Sequence, residues 1–283
     1  MLLIGRQYRP RIISTSWDGT WHMLELQMLL PLPNSLSPSR VSTYKECPLA
    51  FKFQFIDKLP QAPSPWAIKG TLVHAGLESL FFNFSPPERT LARGLDALTK
   101  AWSYMQESEE VRSLGMTREE SQEFFEDARL LLSNYFLMED PNLVNVVGVE
   151  LALDARIGSV HLKGIIDRLD IEENYGFVVT DYKTGRVPPQ ANERARLNGV
   201  HLYAALCKSV LGVLPLRVQL LYLRDKVTIS TSPTEQTMRG TIGQLNAVWS
   251  AVEKACTTND FRPRPSRLCT FCSYRHLCPI HQG

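Results

Sequence analysis

Two short segments constrain this chain more than any others: Lys163-Gly164-Ile165-Ile166-Asp167 and Val179-Thr180-Asp181-Tyr182-Lys183-Thr184-Gly185. Both read as strands, joined through the turn-like Glu172-Glu173-Asn174-Tyr175-Gly176. Side chains alternate faces along an extended strand, so Asp181 and Lys183 project together while Tyr182 points away. Pairing of the two strands as a hairpin brings Asp167 beside Asp181. Neighbouring carboxylates repel unless a cation lies between them, and hard oxygen ligands of this kind suit Mg²⁺ or Mn²⁺. A lysine at the same point can orient a water or stabilise developing negative charge. Such a set can hydrolyse a phosphodiester. A hairpin with two exposed aspartates and a solvated lysine is the better explanation of an isolated D-x-K. Here, however, Ile165-Ile166 and Phe177-Val178-Val179 set the charges at the border of a core. Gly164 and Gly185 bracket the site and permit close backbone approach.

With 283 residues, 44% of them apolar, the chain can bury a sizeable core. Its net charge of only +2 means that any nucleic-acid footprint must be local. No apolar run reaches the roughly 20 residues needed to span a membrane. Met23 to Leu32 is interrupted by Glu25 and Gln27 and has no clear cleavage site, so a cytoplasmic protein is expected. Residues 1–35 lack periodicity and are read as an extension, and 36–283 as one domain.

Ser37 and Pro38 signal a helix start, with the helix running toward Cys47. Pro60 to Pro65 reads as a linker. The spacing of Leu72, Val73, Leu77, Leu80 and Phe81 predicts a helix over 68–84, with His74 and Glu78 on another stripe facing a cleft. Gly70, near its start, is expected to pack closely on the sheet. Helices over 88–108 and 117–139 form a helical insertion of about 86–140. Strands follow over 144–155, 160–171 and 177–183, then a helix over 194–211, strands over 216–223 and 227–231, and a last helix over 234–256. This order predicts an α/β fold with a mixed β-sheet core flanked by helices.

His74 adds an imidazole to Asp167 and Asp181. A metal site of these three would be completed by the Tyr182 carbonyl and waters, with Glu78 either supporting it or a plain surface charge. Cys269, Cys272 and Cys278 crowd the C-terminus as C-x-x-C-x5-C, while Cys47 stands alone in Glu46-Cys47-Pro48. Cys207 and Cys256 read as ordinary core residues. Arg262, Arg264, Arg267, Arg275 and His276, interleaved with Phe261, Phe271 and Tyr274, form one basic segment. Arg186, Arg194 and Arg196 form another.

Gly70-x-x-x-His74-x-x-Leu77-Glu78, Gly164-x-Ile166-Asp167-Arg168 and Asp181-Tyr182-Lys183-Thr184-Gly185 resemble, in this order, the motifs of RecB-type nucleases of the PD-(D/E)XK superfamily. Ser37-Pro38-Ser39-Arg40 with Tyr44-x-x-Cys47-Pro48 resembles their opening segment. The C-terminal cysteines resemble the iron–sulfur clasp of AddB and of CRISPR-associated RecB-like exonucleases. The resemblance spans about residues 36–280. It implies a restriction-endonuclease-like fold and a metal-dependent DNA nuclease with His74, Asp167, Asp181 and Lys183 in its active site. It further implies exonuclease action on single strands or DNA ends in repair, recombination or processing. Tyr203 matches the tyrosine of the family's Q-x-x-x-Y element, but Gly199 stands in the glutamine position.

Cys47, Cys269, Cys272 and Cys278 would hold either zinc or, as the resemblance implies, a [4Fe–4S] cluster, since both use four thiolates. Because Cys47 and Cys269 are 222 residues apart, that group would staple the chain ends (residues 261–280 plus Cys47) over the core. No G-x-x-x-x-G-K-[ST] run is present, so unwinding would fall to a helicase or repair partner. A catalytically weak DNA-binding subunit and an unrelated zinc protein are the rival expectations.

Overall fold

The computed structural model describes residues 30–172 and 176–282, and only the backbone at 190–198. The Glu173–Tyr175 turn, most of the N-terminal extension and the side chains of Arg194, Arg196 and Asn198 lie outside the described residues. Residues 30–36 are anchored. Leu36 is fully buried and bridges to Leu162, donating to the His161 carbonyl at 2.8 Å and accepting from Lys163 at 2.9 Å.

The first helix, α1 (Pro38–Glu46), starts as its sequence dictates, with the Ser37 hydroxyl accepting from the Arg40 N–H at 3.2 Å and Pro38 in the first turn. Next, α2 (Pro48–Phe51) runs into a π-helical turn, Lys52–Ile56, which accounts for the aromatic series there. Helix α3 (Pro65–Asn83) buries Leu72, Val73, Leu77, Leu80 and Phe81. Then come α4 (Leu91–Met105), the short α5 (Glu109–Arg112) and α6 (Arg118–Met138), the last opened by a Thr117–Glu120 capping box. The glycine that brings α3 close to its neighbours is Gly76. A Cβ there would lie 2.8 Å from Leu132 and 3.1 Å from Leu98. At Gly70, contrary to expectation, a Cβ would meet only Thr184 Oγ1, at an ordinary 3.5 Å.

The strands are β1 (Val146–Ile157), β2 (Val160–Glu172) and β3 (Gly176–Lys183). After α7 (Gln190–Leu211) come β4 (Arg217–Tyr222), β5 (Val227–Thr231) and α8 (Glu235–Thr258). The sheet order is β1-β2-β3-β4-β5. All neighbours are antiparallel except β3 and β4, which α7 joins as a parallel crossover. Tyr182 and Leu221 pack with α3, α4 and α6 on one face, while Val179 and Leu220 pack with α1, α7 and α8 on the other.

One irregularity positions the site. Val149 packs with the α3 layer and Leu151 with the α7 layer, although alternation would place both on one face. Ile166 and Arg168, across on β2, part in the same way: Ile166 joins the α7 layer and Arg168 reaches Tyr135 of α6. The hairpin thus exchanges faces at Glu150 and Asp167, where Glu150 adopts φ 44°. The exchange sets both acids in the seam between the two layers.

Candidate active site

β2 and β3 pair Arg168 with Thr180, so Asp167 comes next to Asp181 at the end of the ladder. The Tyr182 N–H donates to Asp167 Oδ2 at 2.7 Å. His74 arrives from α3, with Nε2 3.1 Å from the Tyr182 carbonyl. A carbonyl can only accept, so Nε2 carries the proton. Nδ1 then faces Asp167 Oδ2 at 3.5 Å and Glu150 Oε1 at 3.9 Å. A lone pair turned toward two carboxylates is repulsive until a cation, proton or metal ion, lies among them.

Glu150 is the acid that sequence reasoning missed. His74, Glu150 and Asp167 place their ligand atoms within 4.8 Å of one another. The left-handed backbone at Glu150 costs about 1–2 kcal/mol, strain of the kind that gathers at functional sites. A signal existed: Glu150 is a lone acid in the otherwise apolar Gly148-Val149-Glu150-Leu151-Ala152-Leu153. Asp181, predicted as a third ligand, is not in that trio. It is buried and ion-paired with Lys183. The Tyr182 carbonyl, another predicted ligand, is the one His74 contacts.

Burial, and then the Asp181 charge, push the Asp167 carboxyl up to about 6 against the pull of His74. Burial also raises Glu150, partly offset by His74, with Glu78 and Asp181 adding to the rise. Burial works against a charged Lys183, but the adjacent Asp181 outweighs it and its pKa is raised, so the ammonium is firmly protonated. Glu78 itself is exposed at the rim.

Tyr203 lies on the α7 side. A Cβ at Gly164 would come within 3.1 Å of its ring and 2.8 Å of Leu206, so Gly164 admits α7 to the sheet as expected. Gly185 needs no such room, since nothing lies within 4 Å of a Cβ there. A cavity of about 640 Å³ opens beside Asp181, Lys183 and Tyr203, bounded by Ser39 of α1 and by Arg267. Gly199, in the glutamine position, also lines it, with nothing within 4 Å of a Cβ.

Beneath the strands lies a second network absent from the sequence reading. Arg168 is fully buried and donates to Glu139 at 2.8 Å, Asp170 at 3.0 Å, the Tyr182 hydroxyl at 2.9 Å and the Tyr135 hydroxyl at 3.2 Å. Two carboxylates offset the buried cation, and its hold on Tyr182 fixes the residue whose backbone meets both Asp167 and His74.

Cys47, Cys269, Cys272 and Cys278 are free thiols around one cavity of about 270 Å³. The Arg264 N–H donates to Cys47 Sγ at 3.5 Å and the Ser266 N–H to Cys269 Sγ at 3.4 Å. Among the described residues no three of these sulfurs lie within 4.8 Å of one another. Cys207 and Cys256 are buried in the core as expected. The neighbouring basic segment is partly committed internally. Arg262 pairs with Asp260 at 3.0 Å, and the Arg264 guanidinium donates to the Lys45 carbonyl.

Residues 35–279 match the PD-(D/E)XK nuclease superfamily. The chain belongs to that superfamily. It is also similar to the Gene 69 protein of Mycobacterium phage D29, 24% identical over 280 residues that cover 90% of this chain and 98% of the phage protein. Among solved structures it is similar to a candidate exonuclease from Eubacterium rectale, with a TM-score of 0.50 and 12% identity over 86% of this chain and 88% of the other. That likeness speaks to fold alone. Among the described residues no helix is long and apolar enough to cross a membrane.

Proposed function

We propose that this nuclease-superfamily chain is a divalent-metal-dependent deoxyribonuclease, an exonuclease on single strands or free ends that serves DNA repair, recombination or processing. The observation carrying this reading is the convergence of His74 Nδ1, Glu150 and Asp167 beside the Asp181–Lys183 pair. Oxygen-rich donor sets with one imidazole suit Mg²⁺ or Mn²⁺. Glu150, Asp167 and His74 would hold the ion, with Asp181 at its margin. When bound, the ion polarises the scissile phosphate and acidifies a coordinated water. Lys183, kept charged by Asp181, donates to the attacking water and to the oxygen on which charge develops. Tyr203 and Ser39 border the cavity that would take the strand. Asp181→Asn and Lys183→Ala should each lower Mn²⁺-dependent cleavage of end-labelled single-stranded DNA by at least about a hundredfold, with circular dichroism unchanged. Cleavage at the wild-type rate by both variants sinks the assignment.

The four cysteines are read as the ligands of a structural [4Fe–4S] cluster rather than of zinc. The four thiols line one cavity, and backbone N–H groups donate to two of the sulfurs, a setting for bound thiolates. The choice of the cluster over zinc rests on the resemblance of the C-x-x-C-x5-C segment with Cys47 to the iron–sulfur clasp. A brown protein with stoichiometric iron would support this, and a colourless one with zinc would refute it. Gly199 in place of glutamine favours a second reading, a DNA-binding subunit of a cytoplasmic repair assembly with weak catalysis of its own. Metal-independent DNA binding without cleavage would select it.

A further inference from the structure

We propose that the N-terminal half of α3 forms a groove for single-stranded DNA, running from Trp66 across Gly70 to His74, with a base stacked on Trp66. The proposal rests on the nuclease reading for the direction in which the strand leads. Trp66 is 72% exposed, whereas Trp102 is buried in the α3 layer. The Lys69 ammonium lies 5.3 Å from its ring centroid, and the rest of the indole faces solvent. An exposed indole backed by a cation is a stacking platform for an unpaired base.

Beside it lies a cavity of about 370 Å³, lined by Trp66, Lys69, Asp127, Gly185, Arg186 and Arg224. Asp127 is shared by Lys69 and Arg224, each at 2.6 Å. Arg186 is exposed. The lining therefore carries three cations and one carboxylate, a surplus that suits a phosphodiester. The cavity reaches Thr184 and Gly185, immediately after Lys183.

Gly70 lies on α3 between Trp66 and His74, beside Thr184 of the cavity lining. Trp66, Gly70 and His74 recur every four residues and so share one stripe of α3. Eight residues of helix span about 12 Å, the length of about three stacked nucleotides at ~3.4 Å each. Glycine weakens a helix relative to alanine. Packing does not require it at position 70, where a Cβ would make only the 3.5 Å contact with Thr184. A bare patch of helix on the line between an exposed indole and the acidic site is explained by a ligand backbone that must approach closely there.

The test is fluorescence anisotropy of a short labelled oligothymidylate in EDTA, where binding is read without cleavage. Trp66→Ala should weaken binding by about tenfold or more, with Trp66→Phe retaining most of it. Arg186→Ala should lower the slope of log affinity against log salt by about 0.7. Gly70→Ala should raise Tm by about 2 °C yet weaken binding, a pairing that damage to the fold cannot produce. Binding of the corresponding blunt duplex should be insensitive to Trp66→Ala. If Trp66→Ala and Gly70→Ala both bind like the wild type, or if the wild type does not bind the oligonucleotide, the groove is wrong. If the wild type binds through Trp66 but never cleaves with Mn²⁺, the groove stands and the catalytic reading falls.

Discussion

At the scale of single residues, Asp167 carries the most consequential conflict. Its folded pKa of about 6, raised by burial and Asp181, exceeds the unfolded value near 3.9. The native state therefore binds the extra proton between these values, and the residue's contribution to stability falls as pH climbs from about 4 through 6. Asp167→Asn should accordingly be more stable than wild type near pH 7.5 in EDTA, with the advantage gone near pH 4, as read by Tm. A bound divalent cation reverses the sense, so Mn²⁺ should stabilise the wild type increasingly as pH rises through 6. Glu150 makes a related case. Glu150→Asn, which tolerates the left-handed backbone better, should raise Tm by about 2 °C while cutting metal-dependent cleavage by at least about a hundredfold. Asp167, Asp181, Lys183 and His74 were nameable from local motifs. Glu150 stood out locally only as a lone acid in an apolar run; its place beside Asp167 depends on which strand pairs with β2 and on a backbone twist no local pattern encodes.

At the scale of elements, two contacts keep the strands and helices in working register. Arg168 ties α6 to β2 and β3 through Glu139, Asp170 and the Tyr182 hydroxyl. Arg168→Met would strand two carboxylates and should cost about 3–5 kcal/mol in urea unfolding. Tyr182→Phe should cost only about 1 kcal/mol, because one hydrogen bond is lost and no charge is orphaned. On the opposite face, Gly164→Ala would collide with Leu206 and Tyr203, pushing α7 outward at about 1–3 kcal/mol. The sequence located every long helix and all five strands to within a few residues, because their apolar periods are strong. It placed the close-packing glycine of α3 at Gly70 when the crowded position is Gly76, since crowding depends on α4 and α6 and not on the helix itself.

Across the whole molecule, two segments distant in sequence converge. Cys47 follows α1, and the other three cysteines follow α8, yet all four line one cavity. Closing a loop of this length costs the unfolded chain about 5 kcal/mol of entropy, so a group bound there contributes directly to folding. Cys278→Ser should therefore lower Tm markedly and abolish any visible absorption, with the Asp181–Lys183 chemistry still measurable at low temperature.

The sequence alone determined the mixed sheet, its helical layers and the presence of two carboxylates, an imidazole and a lysine at one end of it. Those follow from periodicity and alternation, which are local. Tertiary structure alone decided that the hairpin exchanges faces at Glu150 and Asp167, and that Arg168 anchors Tyr182 from below. It also decided that Asp181 pairs with Lys183 rather than joining the tightest trio. Each of these depends on how two layers meet along a seam, and no run of neighbouring residues carries that information.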